Sequence, residues 1–128
     1  MSQRMAFMVQ QESLTLEDLN NACSSGWDTV CGVVLFGSRA RNEAAPGADW
    51  DIGIVYANDA EEPEFEISAD WDLFLWNESR WEDGFALQVE IARDGVILLD
   101  PEGKLAERFE KIREYILPHW AGYLKKMG

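Results

Sequence analysis

The stretch Val30-Cys-Gly-Val-Val-Leu-Phe36 is apolar on both of its alternating faces and runs straight into Gly37-Ser38. Side chains alternate across a strand, so a run with no polar relief needs cover on both sides. It predicts a strand in the middle of an α/β sheet. The chain must then turn sharply at Gly37, and Arg39-Ala40-Arg41 supplies helix-forming residues at once. Glycine lets the main chain approach a ligand closely, and the start of a helix offers unpaired N–H groups that suit an anion. The Ser38 hydroxyl and the charges of Arg39 and Arg41 add donors of the kind a phosphate chain takes.

The remaining pattern builds an α/β (α+β) domain around that strand. Leu14 to Ser25 predicts a first helix, opened by the Thr15/Asp18 capping box and stopped at Gly26. Trp50 to Tyr56 and Ile67 to Trp76 predict two more strands, separated by an acidic loop over Asn58 to Glu66. Ser79 and Glu82 suggest the cap of a helix to about Arg93, with Asp94-Gly95 as its stop. Val96 to Leu99 predicts a short strand. From Glu102, Leu105, Phe109, Ile112 and Ile116 recur at helical spacing until Pro118 stops or kinks the helix near Leu117. The expected architecture is two-layered: a mixed β-sheet with helices mainly on one face, in a single domain over 1–128.

Asp49 and Asp51 stand two residues apart at the start of an apolar strand, so both carboxylates leave on one face. Two such groups repel unless a cation lies between them, and hard oxygen ligands suit magnesium. Asp72, within Trp71-Asp-Leu-Phe-Leu-Trp76, is a third candidate if its strand neighbours theirs. Its apolar flanks make an unpaired charge costly there. Asp70 shares its face and is the competing choice.

Gly37-Ser38, ten intervening residues and Asp49-Trp50-Asp51 resemble the signature of the polymerase-beta-type nucleotidyltransferase superfamily. The string Gly-Ser-Arg-Ala-Arg is similar to the minimal nucleotidyltransferases, small proteins that often accompany a HEPN-domain partner as the antitoxin of a toxin–antitoxin pair. The resemblance runs from about Thr29 to Asp100. It implies a nucleotidyltransferase fold, a triphosphate bound at Gly37 and Ser38, and two magnesium ions held by Asp49, Asp51 and Asp72. Asp72 would also help deprotonate the acceptor. The implied activity is transfer of a nucleoside monophosphate, commonly AMP from ATP, to a hydroxyl, in the toxin-pairing group a tyrosine on the partner. Three positions depart from the pattern: Asn42 replaces a glycine, Ala48 a serine, and Trp50 a small aliphatic residue whose bulk Gly53 could accommodate. Two other functions remain open, a partner-masking binding protein with little or no catalysis and a small-molecule (antibiotic) adenylyltransferase.

Charge limits the partners. The net charge is −13, and no Lys or Arg occurs from Asn42 to Ser79, so non-specific binding to nucleic acid is disfavoured. No apolar run reaches the roughly 18 residues of a membrane span, and Met1 to Gln10 lacks the apolar core of a secretory signal. Cys23 and Cys31 match no zinc spacing and read as small hydrophobes in a reducing cytoplasm. His119, the single histidine, reads as a surface residue. Trp120, Tyr123 and Leu124, beside Lys125 and Lys126, suggest a contact surface for a HEPN-like partner or a second copy.

Overall fold

In the computed structural model, residues 14–40, 48–66 and 68–118 are described. Helix α1 (Leu16–Ala22) is opened by Thr15, whose hydroxyl accepts from the Asp18 N–H while the Asp18 carboxylate accepts from the Thr15 N–H. This is the expected capping box, but the helix ends three residues early. Cys23–Ser25 instead forms a short strand, β1, antiparallel to β4 (Glu64–Phe65), so part of the acidic loop is also paired. Gly26, in the left-handed region at φ 90°, leads into a 3-10 turn over Trp27–Thr29.

The main sheet has four strands, β2 (Val30–Phe36), β3 (Trp50–Tyr56), β5 (Trp71–Asn77) and β6 (Val96–Leu99), in the order β5-β3-β2-β6. Strands β2, β3 and β6 occupy the segments the hydrophobic pattern predicts. Strand β5 starts later than expected, after a turn at Ala69 and Asp70. β2 is antiparallel to β3 and β6, while β5 is parallel to β3, which makes the sheet mixed. Helix α2 (Gly37–Ala40) follows β2 directly.

Alternation sorts the strand residues onto two cores. Val33, Leu35, Trp50, Ile52 and Ile54 face one way and bury against Leu14, Leu19 and their neighbours. Val34 and Val55 face the other way, under α3 (Glu78–Asp83), α4 (Phe85–Asp94) and α5 (Lys104–Lys111). Both faces of β2 and β3 are therefore covered, with most of the helices on one of them.

Three local expectations change. The helix expected from Ser79 is two helices broken at Gly84, and its cap is Asn77, whose side chain accepts from the Arg80 N–H. The Ser79 N–H is already taken by the Asn58 side chain at 2.7 Å, so Ser79 sits inside the first turn. Gly53 makes room for Trp76, not Trp50: a Cβ there would lie 2.8 Å from the Trp76 ring. Trp50 and Gly53 leave opposite faces, so the one cannot occupy the space beside the other. Ahead of Pro118 the last helix widens into a π-helical turn over Ile112–Ile116 instead of stopping. Leu105, Phe109 and Ile112 are buried as the stripe predicts. His119, Trp120, Tyr123 and Leu124 lie outside the described residues. Among the described residues, no helix is long and apolar enough to cross a membrane.

Candidate active site

The candidate site forms where β2 ends and β3 and β5 begin. Antiparallel pairing sets Phe36 beside Asp51, and parallel pairing sets Asp51 beside Asp72. Residues in register on neighbouring strands leave the same face, so the two carboxylates stand abreast on strands about 4.8 Å apart. The parallel β3–β5 pairing brings together two aspartates 21 positions apart in the chain.

Gly37 closes the site from the other side. Its φ of +78° is left-handed, and a Cβ built on it would stand 2.0 Å from Asp51 Oδ2. The Asp51 carboxylate thus rests against the main chain of Gly37, in space that a side chain would fill. Two independent demands fix glycine here: the backbone conformation and the proximity of a carboxylate.

Asp49 lies just ahead of β3 and is exposed. The peptide groups on either side of it are tied down. The Ala48 carbonyl accepts from Arg39 Nε at 3.1 Å and Nη2 at 2.8 Å, and the Trp50 N–H donates to the Asp70 carbonyl at 2.7 Å. The Arg39 guanidinium also lies 4.6 Å from the centre of the Trp50 ring. Asp70 sits in the turn before β5 and contributes this carbonyl, while its side chain is exposed. Asp72 is exposed as well. The desolvation cost that singled it out in the sequence does not operate, because β5 is an edge strand and Asp72 stands near its open start. What distinguishes it from Asp70 is its register with Asp51. Ser38 is half-buried in α2. Arg41 and Asn42 lie outside the described residues.

The oxygen donors of Asp51 and Asp72 are of the hard type that magnesium takes, and they present one face. Among the described residues, no three of His, Cys, Asp or Glu gather into a group that could hold a metal ion. Magnesium is commonly bound by one or two carboxylates completed by substrate phosphates and water, so a pair of this kind fits it. Aromatic rings floor the same face: Phe36 and Phe74 lie 5.3 Å apart, and Trp76 stacks on Phe74 at 6.1 Å. No local signal in the sequence marks the Arg39–Trp50 contact, since the partners flank a loop and follow no common period.

A cavity of about 400 Å³ lies elsewhere, bordered by Gly32 and Val55 and by α3 and α5. Four residues of strand, about 13 Å, separate it from Phe36 and Asp51. Several of its charged groups pair with one another. Lys104 pairs with Glu102 at 2.9 Å and Glu78 at 3.7 Å, and Lys111 pairs with Glu107 at 3.3 Å. Arg108 Nε donates at 2.9 Å to the buried Gln88, whose amide donates in turn to the Trp81 carbonyl. Asp100 accepts from the N–H groups of Leu105 and Ala106 and so caps α5. Gly37, Asp51 and Asp72 remain the candidate site.

Comparison with known proteins bears on the family of the chain. A nucleotidyltransferase domain family matches residues 16–119. No curated protein matches the chain. Among solved structures, a Sulfolobus solfataricus protein assigned as a nucleotidyltransferase is similar at 19% identity and a TM-score of 0.44, covering 77% of this chain and 83% of its own. A toxin–antitoxin solved with AMP-PNP is similar at 14% identity and a TM-score of 0.44, covering 78% and 88%. A mutant of the toxin–antitoxin MntA–HpeT is similar at 10% identity and a TM-score of 0.46, covering 79% and 88%. These likenesses are partial, and the assignment rests on the family match.

Proposed function

The chain belongs to the nucleotidyltransferase domain family, and on that premise we propose that it transfers a nucleoside monophosphate, AMP from ATP, to an acceptor hydroxyl. The observation that carries the reading is the row formed by Asp51 and Asp72 on neighbouring strands, with Gly37 packed against the Asp51 carboxylate.

Asp51 and Asp72 would hold magnesium, with Asp49 reaching it only from the exposed segment ahead of β3. When bound, magnesium neutralises charge on the triphosphate and on the oxygens that enter and leave phosphorus. Gly37 and Ser38 would seat the triphosphate, Gly37 by allowing close approach of the main chain and Ser38 by its hydroxyl, with Arg41 adding charge. In the reaction, the acceptor oxygen bonds to the α-phosphorus and the bond from that phosphorus to the bridging oxygen breaks. Pyrophosphate departs with the bond electrons, and Asp72 takes the hydroxyl proton. The aspartates need only be ionised and held close together for this, and the sheet register does the holding.

The acceptor would be carried by a protein partner of the HEPN type or by a second copy of the chain. The resemblance of Gly37-Ser-Arg-Ala-Arg41 to the minimal nucleotidyltransferases supports this assignment. The test is calorimetric titration of ATP into the wild-type chain and into Asp51→Asn, with and without magnesium. Wild-type binding is expected to require magnesium and Asp51→Asn to lose it while remaining folded. Equal affinity in the variant would refute the role of the carboxylates. Magnesium-dependent binding without labelling of any partner would favour the masking function.

A further inference from the structure

We propose that Arg39 is a positioning residue, a clip joining the turn after β2 to the start of β3, and not the phosphate ligand that its charge suggests. The inference rests on the proposed nucleotide site and explains how the segment carrying Asp49 is held and how Asp51 is kept beside Gly37.

Three contacts carry it. Arg39 Nε and Nη2 both donate to the Ala48 carbonyl, at 3.1 and 2.8 Å. The guanidinium stacks on Trp50, 4.6 Å from the ring centre. On the far side of Asp49, the Trp50 N–H is fastened to the Asp70 carbonyl at 2.7 Å. Asp49 is thus carried on a segment pinned at both ends, to α2 through Arg39 and to the turn before β5 through Asp70.

Direction decides between clip and ligand. Trp50 and Asp51 are adjacent in β3 and leave opposite faces. Trp50 buries with Ile52 and Ile54 in the core that α1 covers, while Asp51 shares the other face with Phe36 and Asp72. A guanidinium lying on the Trp50 ring is therefore turned toward the face opposite the carboxylates. Its planar fork meets one carbonyl with two parallel donors and still offers a flat surface to the indole. Lysine keeps the charge but cannot supply that geometry.

The test compares Arg39→Lys, Trp50→Phe and the double variant in two readouts: hydrogen exchange of the Trp50 amide and affinity for magnesium–ATP. Arg39→Lys is expected to speed exchange at Trp50 about tenfold and to weaken nucleotide binding by about the same factor, the scale of one lost charged hydrogen bond. Trp50→Phe, which keeps an aromatic filler in the core, should show a smaller loss of the same kind in both. The double variant should be no worse than Arg39→Lys, because both changes break one clip. Trp50 faces away from the site, so an effect through it cannot come from a lost nucleotide contact. Weaker ATP binding in Arg39→Lys with unchanged Trp50 exchange would overturn the clip in favour of a phosphate ligand. Losses that add in the double variant would also overturn it. The exchange readout needs no nucleotide: if the wild-type chain bound no ATP, the proposed function would fall, and faster Trp50 exchange in Arg39→Lys would still support the clip.

Discussion

Replacing Gly37 with alanine probes the junction at which the fold and the proposed chemistry meet. At φ +78° the alanine would occupy the left-handed region, which costs an L-residue about 1–2 kcal/mol. Its Cβ would stand 2.0 Å from Asp51 Oδ2, 3.0 Å from Cγ and 3.3 Å from Cβ. The carboxylate is the movable partner, so the overlap is relieved by rotating it away, at about 0.5–1.5 kcal/mol for a side chain off its preferred rotamer. The two add to about 1.5–3.5 kcal/mol, with a midpoint of about 2.5, or roughly 10 °C of melting temperature for a domain of this size. Urea unfolding measures it, and an Asp51→Ala background separates the two parts. With Oδ2 and Cγ gone, Gly37→Ala should cost only the backbone share, about 1–2 kcal/mol. Magnesium–ATP affinity should fall more than stability does, because the rotated carboxylate leaves its place beside Gly37. Equal costs in the two backgrounds, or a total within about 0.5 kcal/mol of zero, would refute the close approach.

Gly53→Ala should overpack the face beneath the helices, since its Cβ would meet the Trp76 ring at 2.8 Å and Val34 at 3.1 Å; a loss of about 1–3 kcal/mol in unfolding, with a changed near-ultraviolet tryptophan signal, is expected. Asn77→Ala should cost about 1 kcal/mol by removing the cap of α3, while Ser79→Ala should be near neutral, because only the Ser79 main chain is bonded; the reverse order in thermal melts would show that the cap is misassigned. Burial, and then the charges of Glu78 and Glu102, hold the Cys31 thiol above its usual range. Its thiolate is therefore scarce at pH 8, and alkylation by iodoacetamide should keep accelerating beyond the pH at which a free thiol levels off; levelling at the ordinary thiol pH would contradict that.

The parts legible in the sequence are those that local patterning determines. Val30–Phe36 and Trp50–Tyr56 emerge with the expected limits, because each is buried on both faces and glycine or polar residues bound it. The first helix ends three residues short of the expected Ser25 because Cys23–Ser25 pairs with Glu64–Phe65, a partner some forty residues away that no local window contains. The Ser79 cap failed for the same kind of reason: Asn58, from a distant turn, takes the N–H that would have marked the helix start. Within the candidate site, Asp51 falls in β3 as the apolar pattern predicts, but Asp49 precedes the strand, so alternation does not set its face. The place of Asp72 depended on which strand lies beside β3 and in what register, and the burial argument used to choose it does not hold for an exposed edge position. The contacts of Arg39 were hidden because an arginine after Gly-Ser suggests charge for phosphate, whereas its partners are a carbonyl and a ring across a loop.

The proposed transfer is tested most directly by following two labels. The chain is incubated with magnesium and ATP carrying radiolabel at either the α- or the γ-phosphate, together with an extract of the cell that encodes it, and acid-stable label on protein is counted. The account predicts label from the α-phosphate, none from the γ-phosphate, and none from either in the Asp51→Asn variant. Label arriving from the γ-phosphate, or α-label undiminished in Asp51→Asn, would contradict nucleotidyl transfer at this site.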